Sequence, residues 1–100
     1  MKGNSTHVNP GHIVPVRDCS PETIAAVVAH LEVSSHFEHL VYREAELDAI
    51  WSLTGFSLDR GEDPAKRQTV LRLHEAAREA HDLVGQGHPR EAAAILRGLL

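Results

Sequence analysis

Eight histidines, His7, His12, His30, His36, His39, His74, His81 and His88, stand in a chain of 100 residues. Imidazole is both the commonest metal ligand and the side chain that titrates nearest neutral pH, so their spacing decides what chemistry is open to them. His36 and His39 lie three apart on a segment with helical character, near enough to share one divalent transition-metal ion, with Glu38 and Glu44 close in sequence. At roughly 100° per residue, however, His39 points away from the face that carries Phe37 and Glu44. The remaining ligands would have to come from another element or chain, and a solvated first turn is the competing reading. His74 and His81 are seven apart, which on a helix separates them by roughly 10 Å, too far to chelate one ion. Half-buried histidines hydrogen-bonded to neighbours are the expectation there.

Cys19 is the only cysteine, so no intramolecular disulfide forms and no thiolate pair has zinc-site spacing. It just precedes a helix start, where the dipole and unpaired N–H groups lower a thiol pKa, but nothing in the sequence specifies a base for it. Gly-rich phosphate loops, nucleophile elbows and paired catalytic carboxylates are absent from the sequence.

The elements that position these residues follow from start, stop and periodicity signals. Ser20-Pro21-Glu22 predicts a first helix, with Ser as N-cap, Pro at the first position and an acid in the first turn; Ile24, Val27, Val28 and Leu31 give it one apolar face, ending near Val33. Ser35-His36-Phe37-Glu38 fits an S-x-x-E capping box opening a second helix to about Leu53. Thr54 to Glu62, with two glycines and no period, reads as a loop. Asp63-Pro64 starts a third helix that Gly85 stops, and Pro89 opens a short fourth with Ala92, Ile95, Leu96 and Leu99 on one face. The Leu83–Ala93 run looks like the inter-helix turn of helical-hairpin repeat proteins, but it has no second copy.

Two stretches carry the same 3-4 spacing: Phe37, Leu40, Glu44, Leu47, Trp51 and Val70, Leu73, Ala77, Ala80, Val84. That is the pattern of two helices packed along a common seam. Glu44 is the misfit in it. A carboxylate in an apolar stripe must be paired, protonated or exposed to a cavity, so it is either a register-setting polar residue or part of an inter-helix pocket. With the hairpin antiparallel and Phe37 level with Val84, Val41 aligns with His81, and Asp48 with His74 as an edge pair.

Residues 1–19, with Pro10 and Pro15 but no helical period, are expected to be an extended arm, and residues 20–100 a helical domain. The predicted fold is all-α: four helices, with helices 2 and 3 as a long antiparallel hairpin and the arm laid over a groove or a partner chain. The formal net charge of −4 and the mixed signs argue against a nucleic-acid footprint. No signal peptide or membrane-spanning run is present in the sequence, so a cytoplasmic location is expected. Arginine outnumbers lysine eight to two, a bias of GC-rich bacterial genomes. The thin Ala, Leu and Val core, together with an apolar C-terminal face of Leu96, Leu99 and Leu100, points to a homodimer. The functional expectation is a small protein-interaction module acting as a regulatory or accessory subunit. The alternatives are a histidine-based metal-binding protein using His36 and His39, and a small enzyme with a pocket around Glu44.

Overall fold

A computed structural model describes residues 9–61 and 63–100. Four helices follow one another: α1 (Pro21–Val33), α2 (Phe37–Asp59), α3 (Pro64–Gly85) and α4 (Pro89–Arg97). His7, the first eight residues of the expected arm and Glu62 of the expected loop lie outside the described residues.

Three helix starts are built as the local chemistry demands. Ser20 Oγ accepts the Thr23 N–H, and Asp63 accepts that of Ala65, each immediately before a proline that has no N–H to orphan. Pro89 does the same for α4 after a turn in which Gly87, at φ +87°, adopts the left-handed conformation that glycine tolerates, and the His88 N–H donates to the Leu83 carbonyl.

α2 departs from expectation at both ends. Its N-cap is His36, which makes no side-chain cap bond, so the Ser35–Glu38 box does not form. The neighbouring Ser34 serves α1 instead, its hydroxyl donating to the His30 carbonyl at 2.7 Å. At the other end α2 runs on through Gly55 to Asp59. A helical glycine costs about 1 kcal/mol relative to alanine, but here it makes room: a Cβ on Gly55 would stand 3.2 Å from Cε1 of His74. The glycine is a close-approach position between helices rather than a loop signal.

α2 and α3 share the most extensive interface, α4 packs on both α3 and α1, and α1 touches α2 only sparsely. Of the expected α3 stripe, Ala77, Ala80 and Val84 are buried and Leu73 packs against the core, while Val70 at its start is only partly buried. On α2 the 3-4 spacing is real but runs in another phase. Leu40 lies against the core and Arg43, Leu47, Ile50 and Thr54 are buried, whereas Phe37 is 80% exposed and Trp51 36% exposed. Glu44 is off the seam, its carboxylate close to Gly85 at the end of α3. The register differs too. Asp48, not Val41, shares a cleft with His81, and His74 meets Trp51, Thr54 and Gly55 rather than Asp48. α2 is thereby displaced by about two helical turns along α3 relative to the expected alignment. The physical reason is that the buried stripe of α2 includes polar residues, Arg43 and Thr54, so a search for apolar spacing alone selects the wrong stripe.

The gap left where α1 and α2 barely meet is closed by the chain before α1. Asn9–His12 form a turn, with the His12 N–H on the Asn9 carbonyl and the Gly11 N–H on the Asn9 side chain. Beyond the turn, Val14 and Val16 pack against the core.

Candidate functional site

The polar side chains buried most completely in this fold are Arg43 and Glu46, at 0% and 1% exposure, adjacent on one face of α2. Arg43 donates from Nη2 to Glu46 Oε2 at 2.9 Å, and its Nε approaches Oε1 to 2.8 Å, a close charge contact without hydrogen-bond alignment. The remaining capacity of the guanidinium goes to the segment before α1, residues 10–16, hereafter the strap, and to the end of α1: Nη1 donates to the Pro10 carbonyl at 3.2 Å and to Ser34 Oγ at 3.3 Å, and Nη2 donates to the His12 carbonyl. Glu46 Oε2 accepts the Val14 N–H at 2.6 Å. A single ion pair thus holds main-chain groups of residues 10, 12 and 14, one i,i+3 step apart on a helix being enough to bring donor fork and acceptor together.

Burial pushes the Glu46 carboxyl above its ordinary range, opposed by the Val14 N–H and by Arg43. Burial also pulls Arg43 down, opposed by Glu46, and a guanidinium keeps its charge at neutral pH. His30 on α1 belongs to the same cluster. Its imidazole is held below 6.5 first by burial, then by the positive charge of Arg43 and by His12.

The residues singled out from the sequence fall elsewhere. The His36 and His39 rings meet edge to face, 5.2 Å apart, and the described residues contain no group of three or more His, Cys, Asp or Glu placed to hold a metal ion. His74 Nδ1 lies 2.8 Å from Thr54 Oγ1 and 3.1 Å from the Trp51 carbonyl, which can only accept, so in that contact Nδ1 carries the proton. The imidazole also stacks on Trp51, with ring centroids 5.0 Å apart. Asp48, Trp51, Arg78, His81 and Asp82 line an open cleft of about 240 Å³, and His81 Nδ1 stands 3.8 Å from Asp82. Glu44 is not among its lining residues; this cleft is centred a turn further along α2.

Cys19 is half-buried, and burial together with the Asp18 carboxylate pushes its thiol up, the reverse of the lowered value expected at a helix start. The reason is positional: Ser20 occupies the N-cap and Asp18 accepts from Ser20 N–H and Thr23 Oγ1, so a carboxylate, not the thiol, sits at the helix end. The expected C-terminal face is also reduced. Leu96 is in the core, leaving Leu99 and Leu100 exposed beside a cavity of about 300 Å³ that Cys19, Ile24 and Leu73 also line.

The clasp is hidden in the sequence because Arg43 and Glu46 look like a solvated i,i+3 pair. The available signal was the phase of α2: continuing the 3-4 spacing through Leu40, Leu47 and Ile50 places Arg43 in the buried stripe. None of the described helices is long and apolar enough to cross a membrane. Comparison with family models, with curated proteins and with solved structures gives no match to this chain.

Proposed function

We propose that the protein is a small helical interaction module, a regulatory or accessory subunit, whose α1–α2 groove takes up a proline-bearing, non-helical segment of polypeptide. The observation that carries this reading is the clasp. Arg43 and Glu46 spend their hydrogen bonds on main-chain groups of the strap, so the groove selects a backbone shape, a Pro-Gly turn followed by a short extended run, with Val14 and Val16 supplying the apolar contact. A segment of that shape on another protein offers the same groups. Residues 10–16 are then the intramolecular occupant.

A labelled peptide spanning residues 9–17, titrated into the full chain carrying Val14→Pro, tests this by fluorescence anisotropy. That substitution removes the N–H given to Glu46 and weakens the resident strap without shortening the chain. Saturable binding, tighter than to the unsubstituted chain, is expected, and the same peptide carrying Val14→Pro should not compete. No saturable binding, or equal competition by both peptides, would overturn the reading.

A second copy of the chain is a further partner, favoured by the exposure of Leu99 and Leu100 beside the C-terminal cavity. Sedimentation should then show the dimer mass, reverting to monomer on Leu100→Glu.

A further inference from the structure

α2 carries a second stripe that the fold leaves uncovered. At roughly 100° per residue, Phe37, Val41, Glu44, Asp48 and Trp51 fall within about 40° of one line along the helix, over a length of roughly 20 Å. The buried residues Arg43, Leu47, Ile50 and Thr54 run on another line, centred about 100° away. Phe37, Val41 and Trp51 are all exposed large apolar side chains. A single exposed apolar residue is ordinary, and Phe56 is one, on another side of α2 beneath the Arg60 guanidinium. The repeat sets the stripe apart: Phe37 and Val41 lie one turn apart at one end and Trp51 at the other, the spacing by which one helix offers anchors to another.

The charges along this stripe have one sign. Of the Asp, Glu, Lys and Arg residues that α2 leaves open to solvent before Asp59, namely Glu38, Glu44 and Asp48, all are acidic. None of the three has an ion-pair or hydrogen-bond partner among the described residues. α3 does not neutralise them from across the groove, because Arg78 and His81 each stand 3.8 Å from Asp82 on their own helix. The cleft of about 240 Å³ between the helices is smaller than the roughly 300–1,000 Å³ usual for a small-molecule site. It suits one side chain projecting from a partner laid over it, and an aromatic ring beside an unpaired carboxylate, Trp51 beside Asp48, selects a cation.

We propose that the outer face of α2, from Phe37 to Trp51, docks a basic amphipathic helix of a partner protein. Its apolar side chains cover Phe37, Val41 and Trp51, its Lys or Arg side chains meet Glu38, Glu44 and Asp48, and one of those cations enters the cleft beside Trp51. Covering roughly 20 Å takes about four turns of partner helix. A second copy of this chain is the wrong occupant, because a two-fold contact through this face sets the same carboxylates against each other. The surface is separate from the α1–α2 groove, since Arg43 and Glu46 hold the strap from another side of the helix, so the two docking sites succeed or fail independently.

Trp51 is the only tryptophan of the chain, so its fluorescence and its indole N–H signal report occupation. The probe is a synthetic tryptophan-free peptide of about 18 residues, long enough to form a helix, with Leu along one face and Lys flanking it, titrated into the full chain. One comparison peptide carries Glu for every Lys, and another carries the same residues in scrambled order. The Lys peptide should saturate, shift the Trp51 signals and weaken as salt is raised. Phe37→Ser should weaken binding by about tenfold or more, as loss of an interface anchor does, and Asp48→Asn by about two- to fivefold. Phe56→Ser should leave it unchanged. Failure of the Lys peptide to saturate, binding of either comparison peptide as tightly as the Lys peptide, or equal affinities of Phe37→Ser and Phe56→Ser would overturn the proposal. So would a dimer of the chain alone that Phe37→Ser dissociates, because the face would then belong to a second copy.

Discussion

The two faces that α2 buries are held by opposite chemistry. Toward α3 it meets Ala77, Ala80 and Val84 with Leu47 and Ile50, thin side chains that let the helices approach until Gly55 and His74 touch. Toward the strap it presents Arg43 and Glu46, whose desolvation must be offset by bonds to one another and to three main-chain groups. The first interface is insensitive to which conformation its partners could have taken elsewhere, because apolar contact is non-directional. The second exists only in one geometry, and breaking any part of it exposes the full cost of a buried charge. One is fit for permanence, the other for discrimination.

Removing one member of the clasp should give the largest effect. Glu46→Leu leaves Arg43 buried without its counter-ion and is expected to cost about 3–5 kcal/mol in urea unfolding. The double substitution Arg43→Met with Glu46→Leu should recover most of that loss, because an apolar pair of similar volume carries no desolvation penalty. Equal destabilisation by the single and double variants would mean that the strap contacts, rather than the buried charge, set the energy.

Overfilling the thin seam should come next. Ala77→Leu, at a position with no exposed surface, is expected to cost about 1–3 kcal/mol. If the substitution is neutral in thermal unfolding, the α2–α3 approach is looser than described. Within the same seam, Thr54→Val keeps shape but deletes the hydroxyl that contacts His74 Nδ1, leaving the Trp51 carbonyl as that proton's acceptor. A loss of about 1 kcal/mol is expected, with the His74 ring signals shifted in NMR spectra.

The smallest effect belongs to Phe37→Ser. On the exposed face this should change stability by no more than about 0.5 kcal/mol, whereas a phenylalanine on the packing seam would cost about 3–5 kcal/mol on truncation. Chemical denaturation of this one variant therefore separates the two phases of α2 most cleanly.

What the sequence by itself determined was everything carried by short-range chemistry. Ser20-Pro21, Asp63-Pro64 and Pro89 mark helix starts because cap bonds and the missing proline N–H act within one turn. The Gly85–Gly87 stop and the α3 stripe are equally local, since that stripe contains no polar residue to disguise its phase. The four-helix, all-α plan follows from these alone. Only the tertiary structure decided which face of α2 is buried, how far it slides along α3, and that the Pro10–Val16 strap is held by its own chain. Those outcomes depend on pairs distant in sequence: Val14 with Glu46, His12 with Arg43, His74 with Thr54. A buried Arg or Thr is indistinguishable from a solvated one until its partners are in place, because its burial becomes favourable only once every hydrogen bond it lost to water has been replaced.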